Sequence, residues 1–135
     1  MRVAFGTDER TPLSDEVVAA LVAAGHEVVL RLEGEPWPDV GQGVGARVAA
    51  GDADRGVVCC WTGTGVCMAA NKVPGVRAAL CTDSETAKGA RRWNDANVLA
   101  LGLRLTSPVV AREMLDAFLG TEPDADEAAN VAKLG

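Results

Sequence analysis

The sequence predicts an α/β domain in which a five-stranded parallel sheet lies between layers of helices. Short apolar runs rich in valine alternate with longer segments whose apolar residues recur at helical spacing. This alternation is typical of parallel strands joined by right-handed helical crossovers. With 135 residues, 48% of them hydrophobic, the chain can bury one core, so we expect residues 1–135 to form a single domain.

The first half of the chain contains three predicted strands and two helices. The strands are Arg2–Gly6, His26–Leu32 and Arg55–Cys60. Thr11 caps a first helix that has proline at its first position and ends at Gly25. After the loop Glu33–Pro38, Asp39 is predicted to cap a glycine-containing helix that runs to Ala50.

The second half contains three more helices, two strands and a short final helix. The helix after Gly65 ends near Pro74-Gly75, and Val76–Leu80 is the fourth strand. Thr82-Asp83-Ser84-Glu85 matches a capping box that starts a helix to Arg92. Asn97–Leu101 is the fifth strand. Ser107-Pro108 opens a helix to Leu119, and an acidic segment from Glu122 leads to the final helix.

The segment Val57–Lys72 carries the strongest chemical signal. An apolar strand ends at Cys60, a glycine-bearing turn follows, and a helix starts after it. Glycines allow the backbone to approach a ligand, and a helix N-terminus offers unpaired N–H groups to an anion. A thiol beside a helix N-terminus readily becomes a thiolate, so Cys60 is a candidate base or nucleophile. The alternative is that Cys60 is a small buried core residue.

Composition narrows the classes of partner. A formal charge of −6 argues against nucleic-acid binding, and no apolar run approaches the length of a membrane span. The N-terminus leads directly into a strand without the features of a signal peptide, so we expect a cytoplasmic protein. The four cysteines lack the spacing of a zinc site, so we expect reduced thiols and no metal site.

Four segments together resemble the family of type B ribose-5-phosphate isomerases and galactose-6-phosphate isomerases. They are A-F-G-T-D from Ala4, C-W-T-G-T-G-V-C-M-A-A-N-K from Cys60, G-V-R-A from Gly75 and R-W-N-D-A-N-V-L-A-L-G-L-R from Arg92. The resemblance implies a Rossmann-like three-layer α/β/α sandwich and a cofactor-free aldose–ketose isomerase acting on a sugar or sugar phosphate. It also implies a homodimer, or a tetramer, in which each site is shared between two subunits.

The resemblance assigns roles to individual residues. Cys60 matches the base, Thr62 matches a threonine that moves protons between the sugar oxygens, and Asp8 matches an aspartate that binds a substrate hydroxyl. Asn94 of the neighbouring subunit matches a residue that orients the sugar, and Arg104 matches an arginine of the phosphate region. The backbone N–H groups that would hold the developing oxyanion belong to Gly63, Thr64, Gly65, Val66 and Cys67.

Two histidines of the family pattern are replaced. Trp93 stands where a ring-opening histidine precedes the Asn-Asp pair, and Glu9 stands where a histidine follows the aspartate. The only histidine, His26, is predicted to be structural. The basic phosphate cluster near the C-terminus is also missing, and the segment Thr121–Ala128 is acidic instead.

All three tryptophans match positions that face the ligand in the family: Trp37, Trp61 and Trp93. They indicate a remodelled pocket whose indole faces stack on a flatter or less polar ligand. The alternative is that they fill an inactive pocket or pack an interface. We therefore expect an isomerase with altered specificity, for example for an open-chain or short sugar that needs no ring opening, with or without a terminal phosphate. The alternatives are a different reaction on a larger, more apolar substrate, and a non-catalytic ligand-binding homologue.

Overall fold

A computed structural model describes residues 1–135 and confirms the predicted α/β/α sandwich. The strands are β1 (Arg2–Thr7), β2 (Glu27–Glu33), β3 (Arg55–Cys60), β4 (Ala78–Leu80) and β5 (Val98–Gly102). The helices are α1 (Pro12–Ala23), α2 (Trp37–Ala49), α3 (Thr64–Asn71), α4 (Ser84–Asn94), α5 (Pro108–Gly120) and α6 (Ala128–Ala132), with a 3₁₀ turn at Ala125–Glu127. All neighbouring strands are parallel, in the order β2-β1-β3-β5-β4. None of the helices combines the length and apolarity needed to cross a bilayer.

The start of α1 follows the prediction. The Thr11 hydroxyl accepts a hydrogen bond from the backbone N–H of Ser14 at 3.1 Å, and Ser14 Oγ accepts one from the Thr11 N–H at 2.7 Å. Pro12 occupies the first turn, where its missing N–H costs nothing. Gly25, with φ of +86°, follows the end of the helix.

Two other predicted caps are wrong. α2 begins at Trp37 rather than after Asp39, because Pro38 fits the first turn and extends the helix towards Pro36. Asp39 therefore lies within the first turn. In α4 the capping residue is Asp83, whose carboxylate accepts from the Thr86 N–H at 2.7 Å, and the predicted cap Thr82 lies one residue outside the helix.

The two faces of the sheet have separate cores. One face packs against α1, α4 and α5, and its large buried residues include Phe5, Leu99 and Phe118. The other face packs against α2 and α3 through Val44 and Val58, among others. Since successive strand residues point to opposite faces, Cys59 belongs to the first core and Cys60 to the second.

A glycine brings the helices of the second layer together. A Cβ atom on Gly41 of α2 would lie 2.6 Å from both the Ala69 Cβ and the Val66 carbonyl oxygen of α3. The absence of a side chain therefore lets α2 pack directly on the backbone of α3. This contact holds α3 beside the end of β3.

Candidate active site

Cys60 is the last residue of β3, at the carboxyl edge of the sheet where open parallel sheets bind their ligands. Its side chain is 6% exposed and lies on the face covered by α2 and α3. Its carbonyl accepts a hydrogen bond from the Leu103 N–H at 2.9 Å, which ties it to the segment after β5. The thiol thus occupies a fixed position in the middle of the sheet edge.

The turn after Cys60 is built around Gly63, which has φ of +76° and forms the N-cap of α3. A Cβ atom there would lie 2.6 Å from the Leu80 Cδ1 and 2.8 Å from the Leu101 backbone carbon. The turn is therefore packed against the ends of β4 and β5. Leu80 was not among the predicted site residues, because its contribution depends on the order of the strands.

The first turn of α3 offers free backbone donors. No side chain caps this end, and the N–H groups of Thr64, Gly65 and Val66 have no acceptor within the helix. The Cys67 N–H donates to the Gly63 carbonyl at 3.3 Å, so this predicted oxyanion donor is already used by the helix. The side chain of Cys67 points to β4, where burial raises the pKa of its thiol.

Three side chains flank this turn. The Thr62 and Thr64 hydroxyl oxygens are hydrogen-bonded at 2.7 Å, which gives a short polar relay beside the free N–H groups. Trp37, at the start of α2, lies against Gly65, where an added Cβ would come within 2.9 Å of the indole ring. Trp37 is 45% exposed, so its indole forms an outer wall of the turn.

Asp8 lies just after β1, next to β3. Its N–H donates to the Cys59 carbonyl at 3.3 Å, and its Oδ1 is buried without a hydrogen-bond partner. Thr11 caps α1, so Asp8 is not needed for that role. A buried carboxylate oxygen without a donor is costly, and a hydroxyl donor from a ligand would satisfy it.

Burial, and then the nearby Cys60 and Asp8, raise the pKa of Cys59 and keep that thiol protonated.

Arg104 follows β5 at the same edge. Its N–H donates to the Trp61 carbonyl at 3.0 Å, and its exposed guanidinium forms no ion pair. Three other arginines are engaged in ion pairs: Arg10 with Asp15, Arg91 with Asp95, and Arg92 with Asp124. Trp61, whose carbonyl accepts this bond, is 55% exposed, and Glu9, which follows Asp8 after β1, is also exposed.

Trp93 and Asn94 do not meet Cys60 within one chain. They end α4, which runs antiparallel to the strands and so finishes at the amino edge of the sheet. Trp93 packs on Gly89 of its own helix and is 56% exposed. An open hollow of about 530 Å³ lies along the β4 edge. These two residues line it, together with Leu80 and with residues one and two turns earlier in α4.

His26 is remote from this chemistry. It precedes β2 at the amino edge, and its Nδ1 lies 2.9 Å from the N-terminal ammonium of Met1. Burial and this ammonium lower the pKa of the imidazole. Two asparagines bond to backbone elsewhere: Asn71 to Ala78 of β4, and Asn97 to Arg77 and Gly75 in the loop before β4.

Comparison with known proteins gives the family. Residues 3–134 match the model of the family described as Ribose/Galactose Isomerase. The chain is 38% identical over 126 residues to ribose-5-phosphate isomerase B of Escherichia coli strain K12, covering 90% of this chain and 85% of that protein. It is 41% identical over 100 residues to D-erythrulose-4-phosphate isomerase of Pectobacterium atrosepticum, covering 73% of this chain and 66% of that protein.

Solved structures agree with this match. The type B ribose 5-phosphate isomerase of Trypanosoma brucei superposes with a TM-score of 0.91 at 39% identity, covering 98% of this chain and 95% of that one. The α/β/α sandwich, with Cys60 before a turn that offers free N–H groups, defines the class of protein as a sugar isomerase. The chain belongs to the ribose/galactose isomerase family, and it is an isomerase of sugars or sugar phosphates.

Proposed function

We propose that this enzyme interconverts an aldose and a ketose of a short, open-chain sugar phosphate through an enediolate, with Cys60 as the base. The observation that carries the substrate class is the position of His26. The only imidazole of the chain is held at the amino edge of the sheet beside Met1, so none is available to open a furanose ring at Cys60.

The groups around Cys60 support the chemistry. The Cys60 thiolate would take the proton from the carbon next to the carbonyl, and the carbonyl oxygen would become the enediolate oxygen. The free N–H groups of Thr64, Gly65 and Val66 are placed to hold that charge. The Thr62 hydroxyl would pass a proton between the two sugar oxygens, and the Cys60 thiol would return its proton to the neighbouring carbon.

Asp8 and Arg104 suit the remainder of such a substrate. The unpaired Asp8 Oδ1 would accept a hydrogen bond from a sugar hydroxyl. Arg104 offers an unpaired guanidinium for a terminal phosphate. A four-carbon ketose phosphate has this combination of groups and needs no ring opening. A relative 41% identical to this chain is named D-erythrulose-4-phosphate isomerase, which supports that choice.

We further propose that the enzyme is a cytoplasmic homodimer with sites shared between its subunits. Asn94 ends α4 at the amino edge, whereas Cys60 lies at the carboxyl edge. A second copy docked antiparallel along the exposed β4 edge would bring its Asn94 and Trp93 to Cys60. His26 lies beside β2, at the opposite edge of the sheet, and would stay remote from the site in such a dimer.

One observation favours a second candidate, a reaction on a larger and more apolar substrate. Trp37 and Trp61 are both about half exposed near the turn. Indole faces of this kind stack well on flat or apolar ligands. In that case Cys60 would serve a different substrate on the same scaffold.

Isotope exchange separates these candidates. We expect the protein to incorporate solvent deuterium at the carbon next to the carbonyl of D-erythrulose 4-phosphate, and to act much more slowly on D-ribose 5-phosphate. Cys60→Ala should abolish the exchange, whereas Cys81→Ala, which removes a buried thiol on the other face, should leave it unchanged. The proposal fails if the wild-type protein exchanges no deuterium with four- or five-carbon sugars or their phosphates.

A further inference from the structure

We propose that Asn71 is a positioning residue for the isomerase reaction. Its amide ties the C-terminal end of α3 to the edge strand β4 and thereby orients the free N–H groups at the other end of α3. This inference rests on the proposed function, in which those N–H groups stabilise the enediolate oxygen.

The side chain of Asn71 makes a two-pronged contact with one residue of β4. Its Oδ1 accepts a hydrogen bond from the Ala78 N–H at 2.7 Å, and its Nδ2 donates to the Ala78 carbonyl at 2.9 Å. The Cys67 thiol also donates to the Ala78 carbonyl, at 3.5 Å. β4 has three residues and lies at the edge of the sheet, so α3 supplies the hydrogen bonds that a further strand would otherwise make.

The length of α3 explains why such a tether matters. An eight-residue helix is about 12 Å long and is marginal without tertiary contacts. Its N-terminal end is held by the packing of Gly63, and its middle by the contact with Gly41. Asn71 holds the remaining end. A shift of about 1 Å there would tilt the helix axis by about 5° and misalign the N–H donors.

Asn97 provides a matched control. Its Oδ1 accepts from the Arg77 N–H at 2.7 Å, and its Nδ2 donates to the Gly75 carbonyl at 2.9 Å. It therefore makes the same two kinds of hydrogen bond as Asn71, but to the loop before β4 rather than to β4 itself. It forms no hydrogen bond with α3. Loss of Asn97 should weaken the fold without changing the orientation of the donors.

Kinetics of Asn71→Ala, Asn71→Asp and Asn97→Ala on D-erythrulose 4-phosphate test the inference. We expect Asn71→Ala to lower kcat by about tenfold to a hundredfold with little change in KM, because oxyanion donors act mainly in the transition state. The affinity for a hydroxamate analogue of the enediolate should fall by the same factor. Asn71→Asp keeps the acceptor but sets a carboxylate oxygen against the Ala78 carbonyl, so its kcat should fall at least as far as that of Asn71→Ala. Asn97→Ala should keep the wild-type kcat below its unfolding temperature.

Hydrogen–deuterium exchange tests the same idea without a substrate. Exchange of the peptide covering residues 64–71 should rise in Asn71→Ala and not in Asn97→Ala. Equal kcat values for the two alanine variants, or unchanged exchange in Asn71→Ala, would overturn the positioning role. If the wild-type protein is inactive on the sugar, the proposed function fails, whereas the exchange measurement still decides the role of Asn71.

Discussion

Replacing Gly63 by alanine tests whether the turn after Cys60 is held by steric packing. The backbone at Gly63 has φ of +76°, which costs an L-residue about 1–2 kcal/mol. The added methyl group would also lie 2.6 Å from Leu80 Cδ1 and 2.8 Å from the Leu101 backbone carbon. Overpacking of this kind costs a further 1–3 kcal/mol or so. We therefore expect Gly63→Ala to lower the free energy of unfolding by about 2–5 kcal/mol.

Gly34→Ala separates the two contributions. Gly34 has a similar φ of +79°, but no atom lies within 4 Å of the position of its Cβ. Gly34→Ala should therefore lower the free energy of unfolding only by the cost of the backbone conformation, about 1–2 kcal/mol. Urea unfolding followed by circular dichroism measures both variants. An extra loss of about 2 kcal/mol at Gly63 corresponds to a midpoint about 1 M lower, for an m-value near 2 kcal/mol/M.

The same variants distinguish stability from function. Below their unfolding midpoints, Gly34→Ala should retain the wild-type kcat, whereas Gly63→Ala should lose most of it because the donors of α3 move with the turn. Free energies of unfolding that agree within about 0.5 kcal/mol would show that the turn can yield without cost, which contradicts the packing argument.

Three further predictions concern charged groups. Arg104→Gln should raise KM for a phosphorylated sugar more than about tenfold in low salt. The control variant Arg112→Gln removes an ion pair with Glu16 and should leave KM unchanged. Equal KM values for the two variants would exclude a role for Arg104 in phosphate binding. Arg91 is 1% exposed and bonded to Asp95 at 2.8 Å, so Arg91→Met should lower the free energy of unfolding by about 3 kcal/mol. The exposed pair of Arg92 with Asp124 is worth less, so Arg92→Gln should lower it by less than about 1 kcal/mol. Urea unfolding measures both variants. Burial and the N-terminal ammonium lower the pKa of His26, so the unfolded chain binds a proton at this imidazole more readily than the folded protein does. The free energy of unfolding should therefore fall as the pH drops through 6.5, the ordinary pKa of histidine. His26→Gln should flatten that part of the profile, and an unchanged slope of the urea midpoint between pH 7.5 and about 5 would contradict the sign of the shift.

The fold was predictable because its signals are local. Valine-rich runs, the Thr11-Pro12 start of α1 and the glycine-bearing turn after Cys60 each depend on a few consecutive residues. The errors also have local causes. Pro38 permits α2 to start at Trp37, three residues earlier than a cap at Asp39 would give, and Asp83 competes with Thr82 for the cap of α4 because both precede the helix.

The candidate site was predictable only as a set of residues. The resemblance named Cys60, Asp8 and Arg104, and the structure brings them to the same edge of the sheet. It also shows that the Cys67 N–H is already bonded and that Trp93 and Asn94 end α4 at the opposite edge. Neither result follows from residue types, because each depends on the direction of an element or on its neighbours.

The sequence by itself determined the class of fold, the cysteine before an amide-lined turn, and the loss of imidazoles from the family pattern. These properties depend on residue identity and on spacing along one segment. Only the tertiary structure decided that His26 lies at the amino edge, that Asp8 keeps a buried oxygen without a partner, and that Asn71 connects α3 to β4. Strand order and burial bring together residues far apart in the chain, and no local pattern records which of their hydrogen-bonding groups remain free.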